Sequence, residues 1–162
     1  MNLKQELKKF RREGNLNLSS GGNSQIYFDL KEAFGNPEIL NCAANNLYGL
    51  VDKKPDFVAA RGLGGITLAT AISLNHKINL TIVRDKHKEH GTRKIIEGYI
   101  PKKGDLGIIV DDVFTTGQSI IESVHEVWRV GANICGGYVV IKRNPLEIGI
   151  PVKYLFTLDE LL

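Results

Sequence analysis

Apolar positions change their spacing several times along this chain, and each change of period predicts an element. Leu3, Leu7 and Phe10 fall at i, i+4 and i+7, one stripe of an amphipathic helix that Gly14 is placed to end. Polar and glycine residues then break the pattern until a short strand at 26–30. Ile39, Leu40, Ala43, Ala44, Leu47 and Leu50 keep helical spacing behind Asn36-Pro37, a start signal. The apolar run "DFVAA" at 56–60 predicts a strand and leads into the glycine-rich "RGLGG". The alanine- and leucine-rich "ITLATAISLNH" at 66–76 predicts a helix. A strand at 78–84, a charged loop at 85–94 and the strand "GIIVDD" follow. Ile120, Ile121, Val124, Val127 and Trp128 then mark a helix stopped by Gly131, and 134–143 and 154–158 supply two more strands. Strands separated by single helices predict an α/β fold with a mostly parallel sheet. Ligands of such sheets bind at the carboxyl ends of the strands, where 61–65, 84–94 and 111–119 fall.

Composition narrows the classes without choosing among them. At 162 residues the chain has the length of one domain, 1–162, able to bury a sizeable core. No stretch approaches ~20 apolar residues and the N-terminus is too charged for a signal peptide, which predicts a cytoplasmic protein with no membrane partner. A net charge of +3 suits an anionic small molecule and is too weak to argue for nucleic acid. Cys42 and Cys135 lie far apart with no CxxC spacing, so they read as free thiols, neither a disulfide framework nor a zinc site.

The chemistry concentrates in "GIIVDDVFTTGQSIIESVHEVW", 107–128. Asp111 and Asp112 end a strand, where carboxylates can hold a metal, hold sugar hydroxyls, or act as acid and base. Adjacent strand residues point to opposite sides, which argues against one shared metal. Thr115, Thr116, Gly117, Gln118 and Ser119 then lead into a helix whose first turn exposes unpaired N–H groups, a phosphate site by geometry and dipole. Gly117 lets the backbone turn several amides inward. No GxxxxGK[ST] is present, so this is not a P-loop. Carboxylates beside an amide nest suit a phosphate next to a diol, as in a ribose 5-phosphate.

"IIVDDVFTTGQSI" resembles the phosphoribosyl diphosphate (PRPP) motif of type I phosphoribosyltransferases. Within that family "RDKHKEHGTRKIIEG", "LSSGGNSQIYFDL", "GGITLATAI" and "VVIKR" resemble the orotate phosphoribosyltransferases, so the likeness runs from about residue 16 to 143. The resemblance implies the type I phosphoribosyltransferase fold: a mostly parallel central sheet flanked by helices, a small N-terminal hood at 1–30 and a mobile catalytic loop at 84–97. It implies transfer of phosphoribosyl from PRPP to orotate, giving orotidine 5′-monophosphate and pyrophosphate in pyrimidine biosynthesis. Mg2+ is the implied cofactor, held mainly by PRPP and water with no direct protein ligand. A homodimer with shared active sites is also implied. By motif position Asp111 and Asp112 meet the ribose hydroxyls, and 115–119 cradle the 5′-phosphate. Arg84, Lys88 and His90 meet the pyrophosphate, Gly64 and Gly65 belong to the pyrophosphate loop, and Tyr27, Phe28 and Arg143 surround orotate.

The chain departs from the pattern at three places. Asp85 stands where a lysine commonly follows the loop arginine, Gly64 where a lysine often precedes the glycine, and Asn23 where a basic residue is common. Backbone amides of "RGLGG", with Arg61 or Lys86 supplying charge, are candidates to replace them. The altered lysines leave two alternatives open: a phosphoribosyltransferase for a purine or other base, and a PRPP-binding regulator with weakened catalysis.

Overall fold

The computed structural model describes residues 1–18, 22–85 and 94–162. A short helix α1 (Leu3–Lys8) is capped by the Asn2 side chain and buries Leu3 and Leu7. It ends sooner than its apolar stripe suggests. Phe10 lies beyond the helix, and Gly14, at φ +140°, sits inside a strand, β1 (Arg11–Leu18), instead of ending α1. The reason is a partner: β1 pairs antiparallel with β2 (Gly22–Phe28), with an irregularity between Glu13 and Leu16. The strand expected at 26–30 thus starts earlier and stops at Phe28. Asp29 caps a short helix α2 (Leu30–Ala33) by accepting from the Glu32 amide at 3.0 Å.

Asn36 caps α3 (Pro37–Tyr48) with Pro37 in its first turn, as the start signal predicts. Then β3 (Phe57–Ala60), α4 (Gly62–His76), β4 (Asn79–Val83), β5 (Ile96–Gly98) and β6 (Leu106–Phe114) follow. The chain finishes with α5 (Gln118–Arg129), β7 (Asn133–Lys142), β8 (Val152–Thr157) and α6 (Leu158–Leu161). Two boundaries differ usefully from expectation. Helix α4 already includes the glycines of 62–65, and β6 runs past both aspartates to Phe114.

The main sheet has the order β5-β4-β3-β6-β7-β8. Only the β4–β5 pair is antiparallel among its described strands; the others are parallel. Alternate residues of the central strands serve opposite faces. Val58, Ala60, Ile108, Val110 and Val140 pack with α3 and α4, while Phe57, Ala59, Ile109 and Val139 pack with Ile120, Val124 and Val127 of α5. The connection from β3 runs outward through α4 to β4, and that from β6 runs the other way through α5 to β7. The gap between the carboxyl ends of β3 and β6 is therefore a topological switch point, where a crevice opens. No described helix is long and apolar enough to cross a membrane.

Packing beneath the crevice is tight at Gly107, where an added β-carbon would lie 2.2 Å from Cζ of the fully buried Phe57 ring. Gly107→Ala is expected to destabilise the fold by about 1–3 kcal/mol through overpacking. A thermal melt reads this as a lowered Tm; an unchanged melt would mean the Phe57 ring has room to move.

Candidate active site

A cleft of about 860 Å³ opens at the switch point, lined at its centre by Asp111, Asp112 and 115–119. Strand β3 pairs with β6 only as far as Ile109, so the last residues of β6 have an open edge. There each aspartate takes the next backbone amide: Asp111 Oδ1 accepts from Asp112 N and Asp112 Oδ1 from Val113 N, both at 2.9 Å. The two side chains do not diverge as a regular strand would have them. A β-carbon built at Gly65 would lie 3.1 Å from Asp111 Oδ1, and one at Gly64 2.2 Å from Asp112 Oδ2. Both carboxylates therefore lie against the first turn of α4. Burial, and then the neighbouring Asp112 charge, push the Asp111 carboxyl well above its ordinary value of 3.8, against the Asp112 amide and Ser119 hydroxyl, which favour the charged form.

The turn into α5 is built for exposed amides. Gly117 occupies the N-cap at φ +78° and brings no side chain to cap the helix. A β-carbon there would meet Ile148 at 2.7 Å and Phe114 at 2.8 Å, so glycine is required twice over. Thr116 Oγ1 accepts from the Gln118 amide at 3.3 Å, and Asn144 Nδ2 holds the Thr115 carbonyl at 2.8 Å. The remaining first-turn N–H groups and the positive end of the α5 dipole face an anion site.

The same cleft is also lined by Tyr27, Phe28, Lys31 and Arg143. Arg143 follows β7; its amide donates to Phe114 O at 2.9 Å, and Nη2 donates to Ile26 O at 3.2 Å. Burial lowers its pKa below the ordinary guanidinium value, and a guanidinium stays charged at neutral pH. Lys31 was invisible to motif reasoning, and only its place on α2, directly behind Tyr27 and Phe28, brings it here. Arg61, Asp85 and Glu122 form a third group in the lining, with Arg61 ion-paired to both acids.

Not every expected residue joins the cleft. Arg84 does not line it and pairs instead with Glu97 of β5 at 3.3 Å. Gly64 lines the cleft, whereas Gly65 is packed behind it, its position 3.0 Å from the Val110 carbonyl. Lys86, Lys88 and His90 lie outside the described residues, as do the Ser-Gly positions 19–21.

This sheet order, with a carboxylate pair and an amide-lined turn at the switch point, defines the fold and cleft of a type I phosphoribosyltransferase. No family model matches the chain, but individual proteins do. It is 36% identical over 157 residues to orotate phosphoribosyltransferase of Methanococcus maripaludis, covering 91% of this chain and 84% of that protein. It superposes on the orotate phosphoribosyltransferase of Aeropyrum pernix with a TM-score of 0.84 and 26% identity, over 98% of this chain and 95% of that one. The Mycobacterium tuberculosis H37Rv enzyme, solved in complex with PRPP, matches with a TM-score of 0.78 and 26% identity, over 98% and 96% of the two chains. The chain belongs to the orotate phosphoribosyltransferase family.

Asp111 gives this site a pH signature. Because its folded pKa is raised, its contribution to stability is fully present below 3.8 and is lost as pH rises through the raised value. Asp111→Asn is expected to stabilise the protein at neutral pH by roughly 1–3 kcal/mol, the scale of an undercompensated buried polar group. Melts of both proteins across acidic to neutral pH would show the variant's advantage growing with pH. A constant or shrinking difference would contradict the assignment.

Proposed function

We propose that this cleft transfers the phosphoribosyl group of PRPP to orotate, releasing pyrophosphate and forming orotidine 5′-monophosphate. The observation that carries the reading is that one cleft brings together the three chemistries PRPP and orotate require. Amides of 115–119 suit the 5′-phosphate, Asp111 and Asp112 suit the ribose hydroxyls, and Arg143 with Tyr27 and Phe28 offers a cation and ring faces to a planar anionic base. In the reaction the bond from the ribose anomeric carbon to the diphosphate oxygen breaks, and the diphosphate leaves with the electron pair. A ring nitrogen of orotate forms the new bond to that carbon. Positive charge develops on the ribose and negative charge on the leaving group, so fixed groups of opposite sign at each place lower the barrier.

Carboxylates beside the ribose serve the first need. Asp112 hydrogen-bonds a hydroxyl and fixes the ring, while Asp111, with its raised pKa, supports Asp112 and the turn at Ser119. For the second need the resemblance assigns Arg84, Lys88 and His90, which in a homodimer with shared sites would act from the neighbouring subunit. The pairing of Arg84 with Glu97, outside the cleft lining, is consistent with that arrangement. Mg2+ takes six oxygens in a tight octahedron. Among the described residues no group of three or more His, Cys, Asp or Glu side chains could hold a metal. As the resemblance implies, Mg2+ would be held mainly by the oxygens of PRPP and by water. Such an ion would neutralise charge on the leaving group. The same reading places the chain in the cytoplasm, in pyrimidine biosynthesis.

Purified protein with PRPP, Mg2+ and orotate should consume orotate, followed by its absorbance, while adenine, guanine, hypoxanthine and uracil are not consumed. Asp112→Ala should lower the rate about 10²-fold, the scale of lost positioning. Turnover of a purine in place of orotate would move the assignment to another base. Tight PRPP binding with no turnover of any base would make the chain a PRPP-binding regulator.

A further inference from the structure

Arg61 is the cation best placed to meet a diphosphate in this cleft, and it is already doubly engaged. It caps α4 from the end of β3, and its side chain is only 10% exposed between Asp85 and Glu122. One positive charge thus faces two negative ones in the cleft wall. The two acids are not equivalent. Glu122 projects from α5, is 34% exposed, and also accepts from Gln118 Nε2 at 2.8 Å, which ties it to the phosphate turn. Asp85 follows the end of β4, is 61% exposed, and has no side-chain partner but Arg61 among the described residues. On its Asp85 side the pair is open to water, so the carboxylate is held weakly and can be exchanged for another anion.

We propose that Asp85 is a stand-in anion. It occupies the face of Arg61 that the diphosphate of PRPP takes on binding, while Glu122 is the positioning residue that keeps Arg61 in place throughout. The proposal rests on the PRPP reading above and deepens it. An arriving diphosphate brings more negative charge than a carboxylate and can engage the guanidinium fork with two oxygens, so it outcompetes Asp85. The exchange lowers the net affinity for both PRPP and pyrophosphate, because Asp85 must be displaced first. Asp85 therefore sets how readily the product leaves. Glu122 remains paired, which keeps the guanidinium from following its ligand out of the wall.

The test is a calorimetric titration of inorganic pyrophosphate, with Mg2+ present, into wild type, D85N, R61Q and the R61Q/D85N pair. Orotate turnover is measured in parallel. D85N should bind pyrophosphate about 3- to 5-fold more tightly, the range of an exposed ion pair, and should lower the KM for PRPP without raising kcat. R61Q should bind about tenfold more weakly or worse. The gain from D85N should vanish in the R61Q background, since the two residues act on each other. Asp85 is exposed, so D85N tests the idea in a folded protein; E122Q should raise the KM for PRPP. An affinity in D85N equal to or below wild type overturns the proposal, as does a gain that persists without Arg61. If wild type turns over orotate and D85N still changes nothing, the stand-in fails alone. If wild type neither turns over orotate nor binds pyrophosphate, it fails together with the transferase reading. Tightening in D85N without orotate turnover keeps the stand-in and removes the reaction.

Discussion

The first turn of α4 approaches the carboxyl end of β6 so closely that no side chain fits between them. At Gly64 a β-carbon would lie 2.2 Å from Asp112 Oδ2, and at Gly65 one would lie 3.0 Å from the Val110 carbonyl. This contact forms the floor of the cleft and holds both carboxylates on the side of α4. It also fixes how far the glycine loop stands from the phosphate turn, since only residues 110–114 lie between the last β3–β6 pair, at Ile109, and that turn. Every other feature of the site is arranged around two aspartates that cannot move toward α4.

The convergence is a property of the winding. Helices α4 and α5 leave neighbouring strands toward opposite faces of the sheet, so their N-termini open side by side at one switch point. Helix α4 starts at Gly62 behind Arg61 and α5 starts behind Gly117, neither with a side-chain cap hydrogen bond, so each presents unpaired backbone donors. Negative side chains sit between these two positive ends, which partly offsets the cost of keeping Asp111 and Asp112 close together. A ligand with phosphate groups at both ends and hydroxyls in the middle matches that alternation of charge, and PRPP has this form.

Much of this was legible in the chain. The apolar periods located β3, α3, β4, β6, α5 and β7 because each carries a face buried against the sheet, and burial writes itself into spacing. The irregular hood did not write itself so. In β1 polar and charged residues dominate, its stability comes from backbone pairing with β2, and Gly14 reads as a helix stop while serving a bent strand. Strand β5 escaped notice because three residues are too few to show a period. In the site, the aspartates and the turn were evident as a continuous motif. Lys31 and Glu122 were not, since each reaches the cleft from an element outside the motif or from the next turn of a helix, and Asn144 supports Thr115 from outside the lining, with no local pattern to announce any of them.

Two of the three departures from the family pattern, Gly64 and Asp85, look different once the floor of the cleft is known. A lysine at position 64 would drive its β-carbon into Asp112, so in this chain the glycine is a packing requirement and not simply a missing charge. Three residues back stands Arg61, whose burial and ion pairs give it a fixed position in the cleft wall. A buried guanidinium needs anionic partners in the free protein, or it carries an uncompensated charge. Asp85 and Glu122 supply them. Asp85 is thus a counter-ion of Arg61, and positions 61, 85 and 122 form one electrostatic unit in which changing any member alters what the others must do.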